Sequence, residues 1–310
     1  MNKPIKIGTR GSKLALWQAN WIKSALTVKH PSRSVELFPI KTKGDKILDV
    51  PLAMVGGKGL FVKEIEDALL KGHIDLAVHS MKDMPADIPS GLCIGAVPER
   101  ENPRDVLISK KKLKLSELKP KAKIGTSSLR RKAQLLFARP DLVVLPLRGN
   151  LDTRLKKLET EDLDAIVLAA AGIKRLGLEN RITEYLDEEI MLPAVGQGAL
   201  CIEIRQNDPE IEALVLPLEH QQTRTIVTAE RAFLHRLEGG CQIPIAAHGE
   251  ITEDTLILTG LVADIDGTTV IKDTLSDEKH SAEKIGITLA NRLLSRGAKE
   301  IMTQTERIKL

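Results

Sequence analysis

A chain of 310 residues with 42% hydrophobic side chains is longer than one core normally organises, so two or three domains are expected. Aromatics make up only 2%, and the net charge is +4 without a dense basic patch, which excludes a stacking nucleic-acid platform; the run KKKLK at 110–114 reads as a solvated turn. No apolar run has the length of a signal-peptide core or a membrane span, and three cysteines cannot all pair, so the sequence reads as cytoplasmic.

Residues 5–9 (IKIGT) read as a short buried strand. A helix follows, with Ser12 as its cap and Leu14, Trp17, Trp21 and Ile22 near helical spacing. A second strand is expected over 35–40, an amphipathic helix over 59–72 ending at Gly72, and strands over 74–80 and 92–97. This alternation implies a mainly parallel sheet covered by helices. The pattern then repeats. KIGT recurs at 123–126, again ahead of a serine (Ser128) and a helix. LVVLPL at 142–147 parallels VELFPI at 35–40, and LDAIVLAAAG at 163–172 parallels IDLAVHS at 74–80, with Asp164 in the place of Asp75. The strand at 199–205 (ALCIEIR) is expected to cross back to the first domain, and such exchanged strands make a hinge between two lobes. Beyond it come a helix over 223–240, three strand-like runs and a last helix from Ser281 to Gly297.

The expected architecture is α/β: two similar doubly wound lobes of periplasmic-binding-protein type with an active-site cleft between them, and a small C-terminal α+β domain. Domain 1 takes residues 1–98 and 199–216, domain 2 takes 104–193, and domain 3 takes 221–310.

Open α/β sheets bind ligands at the carboxyl ends of their strands. Those ends carry Arg10 and Ser12; His79, Lys82 and Asp83; Thr126, Ser128, Arg130 and Arg131; Arg148 and Arg154; and Arg175. Guanidinium groups capture carboxylate or phosphate bidentately, so six arginines in these places imply a ligand with several anionic groups. No Walker loop or strand-borne G-x-G-x-x-G is present, which argues against a nucleotide. Asp83 either pairs with the cations around it, holds a cationic substrate nitrogen, or passes protons. His79 reads as a packed histidine, and the histidines and cysteines show no metal-ligand spacing. The glycine-rich stretch 42–60, with Gly44, Gly56, Gly57 and Gly59 as pivots, reads as a mobile loop. Cys93 and Cys201 lie inside apolar strands as core residues. Cys241 sits in a glycine turn, EGGCQIP, with no side-chain cover, and a thiolate there needs cationic neighbours.

The motifs RGSKLALWQ, KGLFVKEIE, DLAVHSMKDMP, ENPRD, IGTSSLRR, LRGN, LPAVGQGAL and ERAFLHRLEGGCQIP resemble those of the porphobilinogen deaminase (hydroxymethylbilane synthase) family, in order and over nearly the whole chain. The resemblance implies a transferase of tetrapyrrole (haem) biosynthesis. It joins four porphobilinogens head to tail into linear hydroxymethylbilane with release of four ammonias. A dipyrromethane cofactor, bound by a thioether to Cys241, primes the polymer. By resemblance Lys82, Asp83, Thr126, Ser128, Arg130, Arg131 and Arg154 bind the cofactor. Arg10, Ser12, Arg148, Arg154, Arg175, Gln197, Lys58 and Phe61 contact substrate, and Asp83 is the catalytic carboxylate. Met54 departs from the lysine that family members often carry. No metal, nucleic acid or membrane partner is implied, and a monomer is expected. The residues alone also fit a non-enzymatic two-lobed binding protein for an anionic solute, which would need neither Cys241 nor Asp83.

Overall fold

The computed structural model describes residues 3–46, 59–237 and 243–307. The chain divides into two compact units, one of residues 1–49, 57–101 and 198–224, the other of 50–56, 102–197 and 225–310. In chain order the first stretch gives β1 (Ile5–Thr9), α1 (Lys13–Lys29), β2 (Val35–Pro39), α2 (Lys63–Leu70), β3 (Leu76–Ser80) and β4 (Leu92–Ala96). The middle stretch gives β5 (Asp105–Ser109), β6 (Lys123–Gly125), α3 (Leu129–Ala138), β7 (Val143–Leu145), α4 (Leu151–Thr160), β8 (Ala165–Ala169), α5 (Ala170–Arg175) and β9 (Glu184–Tyr185). The last gives β10 (Leu200–Arg205), α6 (Pro209–Val215), α7 (Gln221–Arg236), β11 (Ile245–Thr252), β12 (Thr255–Ala263), β13 (Val270–Glu278), α8 (Ala282–Leu293) and α9 (Lys299–Arg307).

The first unit is built on one sheet of order β2-β1-β3-β10-β4. β1 runs parallel to β2 and β3, while β10 lies antiparallel between β3 and β4. Strand alternation sends Leu76 and Val78, with Leu200, Ile202 and Ile204, to one face, where Ala19, Ile22 and Leu26 of α1 cover them. Ala77 and Leu92 pack with Ile65 and Leu69 of α2. Burial corrects the expected face of α1. Ala15, Gln18, Ala19, Ile22 and Leu26 are the buried residues, and Trp17 and Trp21 stand exposed beside that stripe. The helix expected over 59–72 is shorter, because Gly59, at φ +81°, opens a turn that delays it to Lys63.

The second unit holds two sheets. One has the order β7-β6-β8-β5-β9, so it repeats the first unit's plan, with β5 antiparallel to β8 where β10 is antiparallel to β3. The likeness extends to single atoms. The Lys6 N–H donates to Asp75 Oδ2 at 2.8 Å, and the Lys123 N–H donates to Asp164 Oδ2 at 2.8 Å. Ser12 and Ser128 each cap the following helix by accepting a backbone N–H. The other sheet is the antiparallel meander β11-β12-β13. Its core holds Phe233 of α7 and Leu289 and Leu293 of α8 against Leu258 and Val262. The terminal helix does not stop at Gly297 as expected. That glycine takes φ +101° and makes a kink, after which the chain resumes as α9.

No helix of the described residues is long and apolar enough to cross a membrane.

Candidate functional site

In the first unit, the parallel strands β1 and β3 end at the same edge of the sheet, and the residues at and just beyond those ends line a cavity partly open to solvent. Arg10 and Ser12 come from the turn after β1, His79 and Ser80 from the end of β3, and Asp83 from the single helical turn Met81–Asp83. Met81 is buried and anchors that turn, so Asp83 is presented to solvent and Lys82 is half-buried beside it. Gln18 of α1 donates to Ser80 Oγ at 2.9 Å. The Arg10 guanidinium stacks 4.2 Å from the centroid of the Phe61 ring, which holds the cation at the cavity. Phe61 itself packs on Gly44, where a Cβ would come within 2.3 Å of the ring, and the Gly44 N–H donates to the Leu60 carbonyl at 3.0 Å.

Behind the cavity lies a charged group that motif reading passes over. His79 Nε2 is 3.1 Å from Glu203 Oε2, and both residues are buried, as is Glu66 of α2. Burial, reinforced by the nearby Glu203 carboxylate, pushes the Glu66 carboxyl up to about 7, against an opposing pull from His79. Oε1 of each glutamate is buried without a hydrogen-bond partner among the described residues. The available signals are a glutamate inside the apolar run ALCIEIR and another on the buried face of α2.

In the second unit, Arg130 and Arg131 on the first turn of α3 point inward and are 6% and 5% exposed. Asp105, at the start of β5 and fully buried, sits between them. Its Oδ2 is 2.7 Å from Arg130 Nη2, and its Oδ1 accepts from Arg131 Nε at 3.0 Å and Nη2 at 2.7 Å. Gln197 Nε2 also donates to that oxygen at 3.1 Å. Carbonyls of Leu192 and Val167 accept one further donor from each arginine. Burial lowers the Arg130 pKa and Asp105 opposes the shift. Two guanidiniums thus face one carboxylate, which leaves one positive charge in excess. Thr126 is buried at the end of β6, where its Oγ1 accepts the Ser128 N–H at 3.2 Å.

Arg148 follows β7, and its Nη1 is buried with no hydrogen-bond partner among the described residues. Arg154 on α4 donates from Nε to the Gly149 carbonyl at 2.8 Å, and Arg175 lies half-buried at the end of α5. The structure therefore brings Arg10, Ser12, Phe61 and Asp83 together in the first unit, and Arg130, Arg131 and Gln197 together in the second. Cys201 is buried and Cys93 half-buried, with burial pushing the Cys93 thiol up. Lys58, Met54, Cys241 and most of the stretch read as a mobile loop lie outside the described residues.

Two family models match the chain: porphobilinogen deaminase, dipyromethane cofactor binding domain, over residues 5–213, and porphobilinogen deaminase, C-terminal domain, over 224–295. The porphobilinogen deaminase of Geobacter metallireducens is 56% identical over 97% of this chain and 95% of its own. That of Syntrophotalea carbinolica is 57% identical over 96% and 95%, and that of Carboxydothermus hydrogenoformans 54% identical over 99% of both. Among solved structures, the periplasmic aliphatic sulphonate binding protein SsuA from Escherichia coli has a TM-score of 0.40 at 13% identity, over 77% of this chain and 71% of that one. The fold assignment rests on the two strand orders and not on that likeness.

Proposed function

The chain belongs to the porphobilinogen deaminase family, and from that premise we propose that it is a hydroxymethylbilane synthase, acting as a cytoplasmic monomer with a dipyrromethane held by a thioether to Cys241. Each condensation forms one bond, between the aminomethyl carbon of a porphobilinogen and a free pyrrole α-carbon. The C–N bond breaks, ammonia leaves, and the α-proton is lost. Water would close the sequence by cleaving the bond between the primer's α-carbon and the first methylene carbon added to it: the methylene takes the hydroxyl of hydroxymethylbilane and the primer's α-carbon regains a proton. The bound dipyrromethane supplies the first free α-carbon.

The observation that carries the reading is the cationic excess of the second unit. Arg130 and Arg131 share a single buried carboxylate, and Arg148 keeps a buried donor without a protein partner among the described residues. Every pyrrole ring in this chemistry bears an acetate and a propionate, and such carboxylates match that excess in charge and in fork geometry. Arg130, Arg131, Ser128, Thr126, Lys82 and Arg154 are assigned to cofactor carboxylates. Arg10, Ser12, Arg148, Arg154, Arg175, Gln197, Lys58 and Phe61 are assigned to substrate. Asp83 is the catalytic residue. Its exposed carboxylate accepts hydrogen bonds from pyrrole N–H groups, stabilises the positive charge that develops there, and relays the departing proton. We divide the chain into domains 1–98 with 199–216, 104–193 and 221–310.

Intact mass measured before and after incubation with porphobilinogen tests these assignments. Wild type is expected to carry an increment of two pyrrole units and to gain further units with substrate. Cys241→Ser is expected to lack the increment. Asp83→Asn is expected to keep it and to extend at least about 100-fold more slowly, the scale of a lost general acid–base group. A wild type that stays unmodified with substrate overturns the enzyme reading in favour of a binding protein for an anionic solute.

A further inference from the structure

One group of side chains in the second unit converges with no part in that reaction. His248 and Glu250 are two residues apart on β11, so the strand's alternation places both on one face. Glu188 reaches the same point from the turn after β9. His248 Nε2 is 3.3 Å from Glu188 Oε1 and 3.7 Å from Glu250 Oε1, and one ligand atom from each of the three residues lies within 4.8 Å of the others.

The imidazole is 7% exposed, and its Nδ1 is buried with no hydrogen-bond partner among the described residues. Behind that nitrogen, 3.5 Å away, is Oε1 of the fully buried Glu230. Glu230 is held in place from both ends, since the Gly196 N–H donates to its Oε2 at 2.7 Å and the Gly249 N–H to its Oε1 at 3.0 Å. A carboxylate behind the far nitrogen of an imidazole is the usual support of a metal-binding histidine. The separation of Glu188 from the imidazole fits as well, and the Glu250 carboxylate, 3.7 Å away, would have to close by a few tenths of an ångström. Two ligands at zinc bond lengths and tetrahedral angles stand roughly 3.3–3.4 Å apart.

We propose that Glu188, His248 and Glu250 form a binding site for a divalent transition metal of the zinc class, with Glu230 orienting the imidazole. The donor set favours this class over magnesium or calcium, which prefer all-oxygen cages. Bound there, the ion ties the turn at 188–190 to β11 and braces the C-terminal sheet beside the contact of Lys272 with Glu189 at 3.2 Å. The site is independent of the tetrapyrrole chemistry. Sequence spacing conceals it, because its ligands come from separate elements and match no short motif.

The test uses the full-length protein stripped with a chelator and dialysed against micromolar zinc, with metal content and thermal midpoint as readouts, and cobalt as a spectroscopic stand-in. Wild type is expected to retain one zinc per chain, to gain about 5 °C when the free ion greatly exceeds its dissociation constant, and to give the visible absorption of tetrahedral cobalt. Glu250→Gln changes a side chain that is 68% exposed, so it leaves the fold intact, yet it is expected to weaken binding at least about tenfold. His248→Gln is expected to abolish it, and Cys93→Ser to leave it unchanged. A wild type that retains no zinc, or a Glu250→Gln protein that binds as wild type does, overturns the site.

Discussion

Asp105 and Arg148 show that charged residues of similar appearance in the sequence do opposite work. Asp105 offsets one of the two charges of a buried pair of arginines that also donate to the carbonyls of Leu192 and Val167. Removing one member of a buried ionic group leaves the others uncompensated and typically costs about 3–5 kcal/mol, roughly a third or more of a domain's stability. Asp105→Ala is therefore expected to lower the urea midpoint sharply. Arg148 has a buried donor that the described residues leave unpaired, a standing cost in the free enzyme of about 1–3 kcal/mol. Arg148→Met is expected to leave the urea midpoint unchanged or higher while raising KM for porphobilinogen about tenfold or more. An Arg148→Met protein that unfolds as early as Asp105→Ala would make Arg148 structural and remove it from the binding set. The arginines are legible in the sequence because a strand's carboxyl end in an open α/β sheet faces the ligand crevice, and a guanidinium placed there is aimed at an anion. Asp105 is not legible, because its pairing with Arg130 and Arg131 is created by the placement of β5 beside β8 and has no local spacing.

At the scale of elements, α2 packs onto the sheet through Ile65 and Leu69 but also carries Glu66 into the same interface. A carboxyl raised from 4.5 to about 7 binds its proton more tightly in the folded chain than in the unfolded one. Between those values the native state holds the extra proton, so stability falls as pH rises towards 7 and levels off above it. The loss is on the order of 3 kcal/mol, since each tenfold tighter hold on the proton is worth about 1.4 kcal/mol and the rise from 4.5 to about 7 already includes the opposing pull of His79. Glu66→Gln keeps the shape and removes the titration. It is expected to raise the thermal midpoint at pH 8 and to leave it nearly unchanged at pH 4.5. Equal changes at both values would mean that the proton on Glu66 plays no part. The doubling of the α/β plan is legible from KIGT, the following serine and the paired aspartates, because a capped helix and a carboxylate on an N–H near a strand's start leave residue-level traces. The shortened α2 and the kink at Gly297 are not. An apolar period shows which face is buried, but the φ of a single glycine decides where the helix starts or bends.

For the whole molecule, the decisive feature is that the first unit is completed by chain that comes after the middle lobe. β10 lies inside the first sheet, between β3 and β4, and is supplied by residues 198–224. It contributes Leu200, Ile202 and Ile204 to the core, each nearly or wholly buried. Burying three such side chains contributes about 5–9 kcal/mol, which is comparable with the entire stability of a domain. The middle lobe has no such dependence, because both of its principal clusters are drawn from residues between 106 and 191. A chain ended at residue 197 is therefore expected to split in behaviour. Its amides in β5, β6 and β8 should stay protected from hydrogen exchange, and those in β1 and β3 should exchange as in an unfolded segment. Adding a peptide of residues 198–224 should restore protection to β1 and β3, since it supplies the missing strand that pairs with β3 and Glu203, the partner of His79. Full protection of β1 and β3 in the shortened chain would show that the first unit folds without its exchanged strand, and the division into 1–98 with 199–216 would then be wrong.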